Sequence, residues 1–88
     1  MEKNSGLSSL KNEIDTRLKK RYRTASVKGE RFYETKRGVR FHIINLEGFC
    51  EALVVEYADT WEDGDLFYPE DYGNIDELFS AIVSEIEA

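Results

Sequence analysis

Residues 31–57 read RFYETKRGVRFHIINLEGFCEALVVEY, three short runs rich in aromatic and β-branched residues separated by two glycine-containing breaks. The runs are Arg31 to Lys36, Val39 to Asn45 and Phe49 to Tyr57, and the breaks are Arg37-Gly38 and Leu46-Glu47-Gly48. Such residues suit a pleated, half-buried surface, so the stretch predicts a three-stranded antiparallel meander. A two-residue turn at the first break and a three-residue loop at the second, with Gly48 left-handed, set the register. Alternation then places Phe32, Val39, Phe41, Ile43, Phe49, Leu53, Val55 and Tyr57 on one face, with Glu51 as its misfit. The opposite face carries Tyr33, Arg40, His42, Ile44, Cys50, Ala52, Val54 and Glu56. That is too apolar for plain solvent surface, so a covering segment or a second copy in a homodimer is expected.

Working outward, Leu7, Leu10, Ile14, Leu18 and Tyr22 recur at spacings of three and four, which predicts a helix over 7–23 behind a frayed, polar segment, residues 1–6. Glu13 to Arg17 and Asp15 to Lys19 are i,i+4 pairs in the favourable order, and the bases of the last turns suit the negative end of the helix dipole. On the other side, Asn74 reads as an N-cap with Glu77 at the capping-box position. Ile75, Leu78, Phe79, Ile82, Val83 and Ile86 then form a broad apolar stripe over a helix at 75–87. The stretch between, 58–74, shows neither periodicity and reads as an acidic, aromatic loop, long enough to be either functional or a packed lid. The fold class is therefore α+β: one domain over residues 1–88, ordered α-β-β-β-α, with a three-stranded antiparallel sheet packed by two helices. A chain of 88 residues, 41% hydrophobic, has room for one modest core and no second domain.

Charge is the second organising feature. All twelve bases lie in residues 1–40 against five acids, giving +7, while residues 41–88 hold thirteen acids and no Lys or Arg, giving −13; together these make the net −6. A split of this kind concerns partners rather than reaction chemistry. The acidic, aromatic loop is the strongest partner-binding signal. Its candidates are Asp59, Trp61, Glu62, Asp63, Asp65, Phe67, Tyr68, Glu70, Asp71 and Tyr72, where aromatic rings supply contact area and acids steer a basic partner. The alternative site is basic: Arg17, Lys20 and Arg21 on adjacent helical turns with Lys36, Arg37 and Arg40 at the hairpin tip, a surface that a nucleic-acid backbone would meet by counterion release. Net −6 opposes that approach at long range.

Other motifs weaken on inspection. The order α-β-β-β-α is shared with double-stranded-RNA-binding domains. Where that family grips phosphates at the start of its second helix, this chain reads Asn74-Ile75-Asp76-Glu77, which would repel them. Asp59, Asp63, Gly64, Asp65 and Glu70 fall on calcium-loop positions, but Trp61 stands where an oxygen ligand is required and Pro69 disturbs the helix that should carry Glu70. His42 and Cys50 share a sheet face in this register, yet no nucleophile elbow, phosphate loop or second histidine accompanies them. No enzyme activity, cofactor or metal is expected. The lone cysteine allows no intrachain disulfide, and no apolar run is long enough to span a bilayer, so a cytoplasmic protein without membrane contact is expected. The function read from sequence is non-catalytic docking of the acidic C-terminal half on a basic protein, one form of which is a nucleic-acid mimic inhibitor. The alternative is a nucleic-acid-binding module using the basic helix and hairpin tip.

Overall fold

The computed structural model describes residues 5–58 and 64–88. Its elements are α1 (Ser5–Arg21), β1 (Arg23–Val27), β2 (Glu30–Glu34), β3 (Arg40–Asn45), β4 (Leu53–Tyr57), β5 (Asp65–Phe67), a 3-10 turn at Pro69–Asp71, and α2 (Ile75–Ile86). The five strands form one antiparallel sheet in chain order, β1-β2-β3-β4-β5, not the three-stranded sheet expected. Both helices bury their apolar stripes in one core. Ile14 and Leu18 of α1 and Leu78, Ile82 and Ile86 of α2 join Tyr33, Phe41, Ile43, Leu53, Val55 and Phe67 of the sheet.

The two additional strands are edges, and each owes its place to a local device. β1 reads Arg-Thr-Ala-Ser-Val, with too little apolar content to announce itself, yet it pairs with β2 along its whole length, from Arg23 opposite Glu34 to Val27 opposite Glu30. The closing turn is Lys28-Gly29, both residues at positive φ (52° and 87°), the twist-compatible geometry of a two-residue hairpin. β5 lies within the stretch expected to be loop. It follows Gly64, where a Cβ would strike the Val55 carbonyl oxygen and Val54 Cγ1, so only glycine lets the chain come this close to β4.

Register decides which residues face the helices, and here two connections differ from expectation. Tyr33 pairs with Phe41 and Glu34 with Arg40, so the β2–β3 connection closes on Thr35 and Val39 around three residues, Lys36 to Gly38. Thr35 is 2% exposed, and its Oγ1 accepts hydrogen bonds from Arg37 N–H and Val39 N–H, both at 3.2 Å. Gly38, at φ 89°, completes the loop. This one-residue shift from the expected two-residue turn inverts β2: Tyr33, not Phe32, faces the helices. The Tyr33 hydroxyl donates to Asp15 Oδ1 at 2.8 Å, and its ring lies 5.5 Å from that of Phe41.

The β3–β4 connection is also longer than three residues. Asn45 pairs with Leu53, leaving residues 46–52 outside the sheet. The displacement of β4 is four residues, an even number, so Leu53, Val55 and Tyr57 keep the face assigned from alternation. Phe49 does not. It is carried out of the sheet and is 84% exposed.

The face away from the helices carries Phe32, Arg40, His42, Ile44, Val54 and Glu56. Phe32 is buried and stacks on His42 with centroids 4.5 Å apart. Val54 is buried and Ile44 half-buried, while Tyr33 and Ala52, both expected here, are buried elsewhere: Tyr33 under the helices and Ala52 in the loop. Among the described residues no helix is long and apolar enough to cross a membrane.

Candidate docking surface

A meander that keeps chain order turns the charge split of the sequence into a split in space. The bases of the described residues ride on α1, β1, β2, the two turns that flank β2 and the first residue of β3, whereas β4, β5, the 3-10 turn and α2 carry acids and no base. The molecule is therefore basic along one side of the sheet and acidic along the other.

Across the middle, the two sides meet. Arg17 lies 3.1 Å from Glu13 and 2.7 Å from Asp76, and the hydrogen bond to Asp76, then that to Glu13, push its pKa up. The Tyr22 hydroxyl donates to Glu87 at 2.6 Å, Arg21 Nε donates to that hydroxyl at 3.2 Å, and Arg37 donates to the Ala88 carbonyl at 3.2 Å. Arg21, Lys36 and Arg37 line a cleft of about 570 Å³, but Glu87 lines it with them. Arg40 stands opposite Glu34 in the β2–β3 register, the Glu34 carboxylate lies 3.2 Å from Arg23, and Lys20 is exposed on α1. Three of the six candidate nucleic-acid contacts, Arg17, Arg21 and Arg37, are thus tied to the C-terminal half directly or through Tyr22.

The acidic candidates separate into groups. Asp59, Trp61, Glu62 and Asp63 lie outside the described residues. The Phe67 ring is buried in the core, and Tyr72 is half-buried against it, so these two rings support the sheet. Tyr68 is half-buried beside a cleft of about 420 Å³ between the start of α1, the β3–β4 loop and the 3-10 turn. Glu70 and Asp71 are exposed on the 3-10 turn, and neither carboxylate has a hydrogen-bond or ion-pair partner among the described residues. They hold that position because Pro69 fixes the turn's first residue and Tyr72 N–H closes it on the Pro69 carbonyl at 3.1 Å.

α2 is positioned by its start. Asn74 Oδ1 accepts from Glu77 N–H at 2.9 Å, and Glu77 Oε1 accepts from Gly73 N–H at 2.8 Å, a reciprocal cap displaced one residue from the usual box. The far end of the helix brings Glu85 against Asp65 of β5. A hydrogen bond that the Glu85 carboxyl donates to Asp65, reinforced by the Asp65 charge, raises the Glu85 pKa, and Tyr57 beside them is raised first by burial and then by both carboxylates. Two carboxyl groups in contact, with no cation supplied by the strands and helix that carry them, leave this edge under self-repulsion.

The residues considered for chemistry do not converge. His42 Nε2 is 2.9 Å from Glu56 Oε1 on the open sheet face, while Cys50 lies in the β3–β4 loop outside the sheet. Among the described residues no three His, Cys, Asp or Glu side chains group as metal ligands. One surface feature went unread in the sequence: Phe49, assigned to the core by alternation, is exposed in the loop whose next residues, Cys50 and Glu51, line the Tyr68 cleft. The stretch Leu46-Glu47-Gly48-Phe49-Cys50-Glu51, with a glycine between two acids, was its only signal. No family model, curated protein or solved structure matches this chain.

Proposed function

We propose that this protein is a non-catalytic docking module whose acidic side, β5, the 3-10 turn and the outer face of α2, binds a basic protein surface. What supports the reading is that β4, β5, the 3-10 turn and α2 hold acids and no Lys or Arg, with Asp65 and Glu85 near enough to each other to raise the Glu85 pKa. A cationic side chain from a partner would relieve that repulsion, which makes binding and charge complementarity the same event. The exposed Glu70 and Asp71 extend the field beyond the pair, and clustered acids of this kind also match the charge of a nucleic-acid backbone. The narrower form of the proposal is therefore an inhibitor that occupies a nucleic-acid-binding groove in place of phosphates. Net −6 and the engagement of Arg17, Arg21 and Arg37 with the acidic half weigh against direct nucleic-acid binding. Affinity capture from the native lysate, with and without nuclease, separates the two. Basic proteins retained after nuclease treatment support docking; loss of all captured material supports nucleic-acid binding instead.

A further inference from the structure

Phe49 is the large apolar side chain most exposed among the described residues, and the loop that carries it is heavily determined. Leu46 carbonyl accepts from both Phe49 N–H (3.0 Å) and Cys50 N–H (3.3 Å). Gly48 N–H donates to Glu51 Oε2 at 2.6 Å, and Glu47 N–H donates to Asn45 Oδ1 at 2.7 Å. Ser8 of α1 ties the base down, donating to Glu47 at 3.0 Å and accepting from Asn45 Nδ2 at 3.3 Å. Glu51 is held at φ 52°, a left-handed conformation unusual for a side-chain-bearing residue. The ring is thus presented outward on a preformed loop, so a partner meeting it would not have to order it first.

Cys50 and Glu51, which follow Phe49 in the loop, line a cleft of about 420 Å³ together with apolar walls, Leu7, Leu10, Tyr68 and Pro69, and a second acid, Glu70. That combination suits a long basic side chain, with its methylene stem on the walls and its charged end at the acids. We infer that Phe49 and this cleft form the centre of the docking surface. The ring enters an apolar socket on a basic protein, and one Lys or Arg of that protein lies in the cleft. The inference rests on acidic docking as the function. Charge selects the occupant: a second copy meeting this face with its own would bring the same Glu47, Glu51 and Glu70 and be repelled, as would phosphates, while a basic protein is attracted.

The test uses the whole chain and two synthetic peptides carrying equal numbers of lysines, one spaced by glycine and one by leucine in amphipathic order. Titration calorimetry should show the Lys/Leu peptide binding more tightly than the Lys/Gly peptide. Phe49→Ala should weaken the Lys/Leu complex at least about tenfold, the effect of losing an interfacial anchor, and leave the Lys/Gly complex unchanged. Phe49→Trp should keep the preference. Because the ring is exposed, both variants should melt within a few degrees of the parent, which a thermal scan checks. If Phe49→Ala leaves the Lys/Leu affinity unchanged while Glu70→Lys still weakens both peptides, the Phe49 anchor is wrong and acidic docking stands. If neither peptide binds the parent chain, both fail. Self-association that disappears in Phe49→Ala would name a second copy as occupant and overturn the inference.

Discussion

Replacing Thr35 by valine keeps the shape of a side chain that is 2% exposed and removes the hydroxyl that sets the β2–β3 loop. Two backbone donors lose their acceptor, Arg37 N–H and Val39 N–H, each now at 3.2 Å from Oγ1. Arg37 is exposed and its N–H can turn to water, so its loss is worth about 0.5 to 1 kcal/mol, whereas half-buried Val39 stands nearer 1 to 2 kcal/mol. The added methyl returns a few tenths, leaving a net destabilisation of about 1 to 2.5 kcal/mol. With an unfolding entropy of about 2.1 cal/mol/K per residue, 1 kcal/mol corresponds to about 5 °C at this size, so the melting temperature should fall by about 5 to 12 °C. Circular dichroism reads that shift. Amide hydrogen exchange reads its origin, because protection at Arg37 and Val39 should be lost in Thr35→Val and kept in Thr35→Ser. An unchanged melting temperature with both amides still protected would refute the claim that this hydroxyl pins the register.

Three other perturbations probe the sheet and the acidic edge. Glu85→Gln should stabilise the protein at neutral pH. Its folded pKa is raised, so the carboxyl's stabilising contribution is present below the unfolded value and lost as pH rises through the folded one; melts from pH 4 to 7 should therefore be flatter in the variant. The same substitution should weaken partner binding if the repulsion is what a partner relieves, a trade of function for stability that paired melting and binding measurements detect. Burial, followed by the hydrogen bond to Asp15, raises the Tyr33 pKa, so the stability it contributes persists up to about pH 10 and is lost at higher pH. Tyr33→Phe should remove that alkaline limb, and an absorbance titration at alkaline pH should show one tyrosine fewer resisting ionisation. Gly64→Ala should cost about 1 to 3 kcal/mol through the Cβ contact with the Val55 carbonyl, read as a lowered urea midpoint.

Much of the core is legible in the sequence. The stripes of α1 and α2 were read from spacing alone, and Leu18, Leu78 and Ile82 are buried as that spacing requires. Asn74 was legible as a cap because the side chain chemistry is local. The misreadings arose where the decisive contacts are not local or not apolar. β1 has almost no hydrophobic signal because an edge strand need bury only part of one face. β5 is three residues whose place depends on Gly64 meeting a different strand. The orientation of β2 turned on a single hydroxyl: counting turn residues from Arg37-Gly38 missed Thr35, whose capture of two N–H groups lengthens the loop by one and inverts the strand. Phe49 was misplaced for a related reason, since the alternation that fixes Leu53 and Val55 says nothing about where the strand begins. For the candidate site, acidity was legible from composition, but its concentration on one side of the molecule depended on the strands following chain order.

The central claim, that the acidic side docks on a basic protein, is tested most directly by association kinetics with the nuclease-resistant partner recovered by affinity capture. Glu70→Lys/Asp71→Lys changes two exposed charges that have no role in the described packing and moves the net charge from −6 to −2. Measured across salt concentrations, the association rate of the double variant should fall severalfold at low ionic strength, and its salt dependence should flatten, because these charges act over a Debye length of about 8 to 10 Å. An association rate unchanged by the double reversal, together with its collapse on Arg21→Glu/Lys36→Glu, would place the working surface on the basic side and contradict the account.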